Sequence, residues 1–217
     1  MKRRELFVST SGNTCVQGAR TCGTAELIPN VALRTHDDVP VRFYDDLVKG
    51  KQVVINMMYA TCEGLCPAVT SRLVEVHRAL APRMGRDLFM YSITLKPNED
   101  NPAALRAYAD MHGALLPGWK FLTGDAYDIE TLRFALFRHN HIKFDLDPNG
   151  HAGRLRIIND SINRWVHVTP LASKATVLQH ISWADPPKSL EQRMQDNRAL
   201  QDEIGREVAR YGYRKVI

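Results

Sequence analysis

From residue 51 to 59 the chain runs Val53-Val54-Ile55-Asn56-Met57-Met58 with one polar interruption, the pattern of a strand covered on both faces. Directly after it, Val69, Leu73, Val76 and Leu80 recur every three or four residues and predict a helix over 67–80. The alternation continues: a second buried strand over 87–95, a helix over 102–112 stopped by Gly113, a short strand over 119–122 and a helix over 128–137. The rhythm then changes. Residues 154–159 and 164–169 are both strand-like and are joined by Asp160-Ser161-Ile162-Asn163, so they predict an antiparallel hairpin, and a helix over 173–181 follows. Ahead of all this, two short apolar runs between 31 and 43 flank His36-Asp37-Asp38-Val39-Pro40, which is also hairpin chemistry.

Strands separated by helices, then a hairpin and a closing helix, predict an α/β domain with a mixed central sheet and helices on both faces. That is the thioredoxin-like arrangement, here with an N-terminal hairpin and a C-terminal helical extension. The domain is expected over 27–184. Residues 1–26 are polar and read as a disordered leader or degenerate signal. Asp185-Pro186-Pro187 breaks the chain before a charged helical tail over 185–217, whose apolar residues Leu190, Met194, Leu200, Ile204 and Val208 lie partly on one side. The tail is expected to be a packed appendage, with a partner contact as the alternative.

A chain of 217 residues can bury one substantial core. Its formal charge of +5 is spread along the sequence rather than gathered with aromatic residues, which argues against a nucleic-acid partner. Lys2-Arg3-Arg4-Glu5-Leu6-Phe7 is similar to the opening of a twin-arginine export signal, but polar residues stand where its apolar core should follow, so no intact signal is read. No run approaches the roughly eighteen consecutive apolar residues of a transmembrane anchor, and a soluble protein is expected.

Four cysteines in two pairs are too few for a disulfide scaffold at this length and point to selective thiol chemistry. Cys15 and Cys22 fall in the polar leader. Cys62 and Cys66 stand where the buried strand ends and the helix begins, and such a pair can close a disulfide or clamp a soft metal ion. Positions four apart share a helix face, so both sulfurs can meet if Cys66 lies in the first turn, where the helix dipole favours thiolate. Two thiolates select Cu(I) and zinc over hard cations. A structural zinc needs a closed tetrahedral set, and no second C-x-x-C or H-x-x-x-H pair supplies it. Copper needs fewer ligands: one imidazole would complete a trigonal site.

The run Met58-Tyr59-Ala60-Thr61-Cys62-Glu63-Gly64-Leu65-Cys66-Pro67-Ala68-Val69-Thr70 resembles the Sco (SenC) family of copper-binding, thioredoxin-like proteins. So do Met90-Tyr91-Ser92-Ile93-Thr94-Leu95-Lys96-Pro97-Asn98-Glu99-Asp100-Asn101-Pro102, Met111-His112-Gly113 and Pro117-Gly118-Trp119. The resemblance implies that two cysteines and one distal histidine bind copper, as Cu(I) or Cu(II), and it assigns those roles to Cys62, Cys66 and His151. It implies a metallochaperone that assembles the copper A centre of cytochrome c oxidase, or a related cuproenzyme, in the periplasm or cell envelope. The expected partners are a copper A domain or similar apo protein and a copper donor protein. The chain departs from the family pattern in having Glu63 and Gly64 after the first cysteine, where proline and an acidic residue are usual. A carboxylate at Glu63 is expected to raise the thiol pKa values. The membrane anchor usual in the family is not seen.

Among the other histidines, His167 on the second hairpin strand is the main rival ligand to His151. His139 and His141 read as polar-loop residues, and His36, His77, His112 and His180 as surface or helix-packing residues. Met57 and Met58 read as core. The rival function is a thiol-disulfide oxidoreductase in which Cys62 and Cys66 are catalytic and reduce the copper-ligand cysteines of the recipient. Thioredoxin-type catalysts carry a cis-proline facing the active site, and that place is held here by His151 and Ala152, which favours metal. A peroxiredoxin-like P-x-x-x-T-x-x-C signature would need Pro and Thr where Ile55 and Tyr59 stand.

Overall fold

The computed structural model describes residues 23–137, 154–187, 189–192, 194, 195, 198 and 202. Two compact units are distinguished, Met1–Ala184 and Asp185–Ile217. In the first, helix α1 (Thr24–Leu27) leads into strands β1 (Ala32–Thr35) and β2 (Pro40–Arg42) and a π-helical turn, Phe43–Val48. There follow β3 (Gln52–Met58), α2 (Leu65–Ala79), β4 (Leu88–Thr94), α3 (Pro102–Met111), β5 (Trp119–Gly124) and α4 (Ala126–Phe137). Beyond the next described residue, Arg154, come β6 (Leu155–Asn159), a 3-10 turn at Asp160–Ile162, β7 (Arg164–Val168) and α5 (Lys174–Trp183).

The strands form one seven-stranded sheet in the order β2-β1-β5-β4-β3-β6-β7. Its centre, β3, β4 and β5, is parallel, while β1 adds antiparallel to β5 and the β6-β7 hairpin adds antiparallel to β3. This is the mixed α/β sheet that the alternation of strands and helices predicts.

The position of β3 explains its composition. All seven of its residues are buried, because it has a strand on each side and helices above and below. Side chains alternate across it. Val54 and Met58 join the core under α2, α3 and α5, whereas Val53, Ile55 and Met57 join the core under α4 and the π-helical turn. Asn56 lies among the first set, and Ser92 on β4 donates to its Oδ1 at 2.8 Å. Trp119 Nε1 in turn donates to Ser92 Oγ at 3.0 Å, so these polar groups are buried in partnership.

Three local features go beyond what the sequence pattern shows. The π-helical turn lies between β2 and β3, where Phe43, Leu47 and Val48 are buried, and six residues are too few for a period to show. Ahead of β1, Thr24 is 3 % exposed, because its hydroxyl donates to Asn163 Oδ1 and accepts from Trp165 Nε1. Helix α2 begins at Leu65, two residues before Pro67. Proline is tolerated within a first turn, where backbone N–H groups lack intrahelical partners anyway.

In the second unit, Gln192 N–H donates to Ser189 Oγ while Ser189 N–H donates to Gln192 Oε1, a reciprocal cap beside the helical residues 190–192. Leu190 and Met194 are exposed. Leu200, Ile204 and Val208 lie outside the described residues.

Candidate metal-binding dithiol

Strand β3 delivers the chain to the edge of the sheet at Met58, and α2 starts seven residues later. The segment between them must turn tightly, and Cys62 N–H donates to Tyr59 O at 3.2 Å to close that turn. Gly64 occupies the cap position of α2 and offers no side-chain acceptor, and no acidic residue lies in the first turn. The helix start therefore has unfilled amide donors. One is filled by sulfur: Cys66 N–H donates to Cys62 Sγ at 3.4 Å.

Cys66 is the second residue of α2, so it does lie in the first turn, and both cysteines are thiols outside any disulfide and only 5 % exposed. Burial pushes the Cys62 thiol up, but hydrogen bonds from the Cys66 side chain, the Cys66 and Gly64 amides and the Tyr59 side chain together bring it below its ordinary value. Cys66 moves the other way. Burial, the bond its own thiol gives to Cys62 and the charges of Cys62 and Asp100 push it up to about 12, against a smaller lowering by the Tyr59 main chain. The resting pair is thus a Cys62 sulfur rich in donors facing a Cys66 thiol that keeps its proton.

The carboxylate whose charge acts on Cys66 is Asp100 rather than Glu63, which is exposed and does not contribute to the shift of either thiol. Asp100 is 1 % exposed, and its Oδ2 accepts from Ala60 N–H at 3.0 Å and from the Thr94 hydroxyl. It stands within a quoted motif, so its position was visible in the sequence, but its approach to the cysteine loop is a tertiary contact. Next to it, Lys96 Nζ lies 4.7 Å from the Tyr59 ring centroid and pairs with Glu99 at 3.3 Å. Below the pair, the buried Tyr108 and Thr70 hydroxyls share a hydrogen bond of 2.9 Å.

The histidines separate clearly. His151, His139 and His141 lie outside the described residues, as do Cys15 and Cys22. On β7, Val166 and Val168 pack in the core that contains Cys62 and Cys66, whereas Trp165 packs in the opposite one. Alternation therefore puts His167 on Trp165's face, across the sheet from the sulfurs. That geometry disfavours it as a ligand. His36 is buried, against a surface reading: it lies beside β5, where its Nδ1 accepts from Phe121 N–H at 3.1 Å. His77 is buried and stacked on Trp119 and bonds to Pro117 O, and His112 and His180 lie tilted against Tyr108 and Trp183. Met58 and Met57 are both core residues, on opposite faces of the sheet. Among the described residues no cluster of three or more His, Cys, Asp or Glu side chains could hold a metal. No described helix is long and apolar enough to cross a membrane.

A mixed, thioredoxin-like sheet with a dithiol at the start of the helix that follows its central strand defines a class of thiol and soft-metal proteins. A sequence profile of the SCO1/SenC family matches residues 24–183, and the chain belongs to that family. It is 26% identical over 77 residues to the SCO1 protein homolog of Bacillus subtilis (strain 168), a match covering 36% of this chain and 39% of that relative. It superposes on BsSco, described as a member of the Sco family of cytochrome c oxidase assembly proteins in which a disulfide switch was identified. The TM-score is 0.58 at 18% identity, over 71% of this chain and 90% of that one. Yeast Sco1 with copper bound superposes at 0.55 and 18% identity, over 70% and 87% of the two chains.

Proposed function

We propose that the chain is a copper metallochaperone, holding one copper ion on Cys62, Cys66 and His151 and passing it to the copper A domain of an oxidase subunit or a similar apo protein. The observation that supports this most directly is the meeting of two buried thiols, not joined in a disulfide, at a helix start, in a member of a family that includes copper-bound and oxidase-assembly proteins. Copper is cargo. Two sulfurs with little solvent around them suit Cu(I), and the borderline nitrogen of His151 adds most to Cu(II). The proposed place of action is the cell envelope, by family resemblance, with a separate copper donor protein upstream.

On this reading, loading must displace the proton that Cys66 keeps. The sign follows. Protons compete with the ion at any pH below that raised pKa, so apparent Cu(I) affinity is expected to rise by at least about tenfold per pH unit between about pH 6 and 8. Chelator competition at stepped pH measures the slope, and a flat profile would mean that Cys66 is not a ligand.

The rival is a thiol-disulfide oxidoreductase. It draws support from the unequal thiols, since Cys62, its thiol held below its ordinary value, suits attack on a disulfide, and Cys66 stands beside it to resolve the mixed disulfide once its own proton has been given up. His151→Ala separates the two, because an imidazole matters to the ion but is not required for dithiol exchange. The expected result is loss of copper transfer to an apo copper A domain, with Cu(II) binding weakened most, while Cys62 and Cys66 still cycle between thiol and disulfide. Normal maturation of the recipient by this variant would favour the reductase and remove His151 from the site.

A further inference from the structure

The peptide unit joining Tyr59 to Ala60 is held from both edges. Its C=O accepts the Cys62 N–H at 3.2 Å, and its N–H donates to Asp100 Oδ2 at 3.0 Å. In a trans peptide those two groups point in opposite directions from one rigid plane, so fixing the N–H also fixes where the C=O meets Cys62. Asp100 is itself fixed. Its carboxylate accepts the Thr94 hydroxyl, Thr94 Oγ1 accepts Lys96 N–H at 2.9 Å, and Asp100 N–H donates to Lys96 O at 2.8 Å. Leu95 N–H donates to Met58 O at 2.7 Å and ties the same turn to the last residue of β3.

The turn after β4 therefore grips the segment after β3 just before the first cysteine. A charged acceptor makes the stronger hydrogen bond to an amide, and one that is 1 % exposed meets little competition from water. Donation by the Ala60 N–H to a carboxylate also polarises the peptide and makes the Tyr59 carbonyl a better acceptor for Cys62.

We propose that Asp100 is a positioning residue for the dithiol: through the Tyr59–Ala60 peptide it sets the place of Cys62 relative to Cys66 before any ion arrives. This goes beyond the copper reading, resting on it only for the consequence of misplacement. It assigns Asp100 no contact with the ion.

The test compares Asp100→Ala, which removes the acceptor, with Asp100→Asn, whose amide oxygen can still accept from Ala60 and Thr94. Hydrogen exchange at the Ala60 and Cys62 amides of the metal-free full chain is the first measurement. The expected result is exchange roughly tenfold or more faster in the alanine variant and within about threefold of the parent in the asparagine variant. Cu(I) affinity by chelator competition is the second, expected to fall about tenfold with alanine and to be largely restored with asparagine. Unchanged exchange with alanine, asparagine as fast as alanine, or unaltered copper affinity beside a loosened loop would each overturn the proposal. If alanine prevents folding, Thr94→Val takes its place, since it keeps the carboxylate but removes the hydroxyl that fixes it, and parental exchange there overturns the proposal equally. Failure of the parent chain to bind Cu(I) would defeat the copper reading, while the exchange comparison would still judge Asp100.

Discussion

Serine at Cys62 or at Cys66 is expected to abolish tight Cu(I) binding while leaving the chain folded. A serine hydroxyl at position 62 can still accept the Cys66 amide, so the start of α2 keeps its acceptor. What is lost is softness, because oxygen is a poor donor to Cu(I). Disturbing a residue that merely supports a ligand weakens metal binding by about 10–100-fold, so losing a ligand should exceed roughly a hundredfold. Competition with a Cu(I) chelator measures this directly. Thermal unfolding provides a second reading, since an ion that binds only the folded chain raises the midpoint of the parent and should leave the serine variants where they were. Parental affinity in the double serine variant would remove the site altogether.

Gly118→Ala is expected to be the more damaging change to the fold. Gly118 has φ +72°, and a Cβ there would lie 2.3 Å from Gly85 N and 2.7 Å from Gly85 Cα, so the conflict is with backbone that no rotamer change relieves. A left-handed non-glycine residue costs about 1–3 kcal/mol and overpacking another 1–3 kcal/mol, giving roughly 2–6 kcal/mol in all. The damage would spread, because Gly118 O accepts the Met90 N–H and the preceding Pro117 O meets His77. Gly113, at φ +61° with nothing within 4 Å of its missing Cβ, is the internal comparison, and Gly113→Ala should cost only about 1–2 kcal/mol. Denaturant midpoints of the two variants decide it. Equal losses would mean that the Gly85–Gly118 approach relaxes at little cost.

The helix and strand that carry the cysteines were legible because burial there is periodic. The apolar run of β3 and the spacing of Val69, Leu73 and Val76 each need only local sequence to be recognised, and the structure places both elements within two residues of expectation. The first-turn place of Cys66 was only a condition in that reading, and it is met because the helix starts at Leu65 rather than at Pro67. Glu63 shows where local reasoning misleads. It is nearest to Cys62 in sequence, yet it faces solvent, and the carboxylate that binds the cysteine loop at Ala60 and whose charge acts on Cys66 is Asp100, 34 residues beyond Cys66.

By itself, then, the sequence determined which segments bury one face or both, where the strand-to-helix junction falls, and that two soft donors sit at it. These properties are written in the period and type of neighbouring residues. Only the tertiary structure decided that β1 closes on β5 rather than on β3, that His167 turns away from the sulfurs, that Gly85 and Gly118 touch, and that Asp100 grips the Tyr59–Ala60 peptide. Each of those depends on which distant segments pack together once apolar surface leaves water, and a hydrophobic pattern specifies that a face is buried without specifying against what.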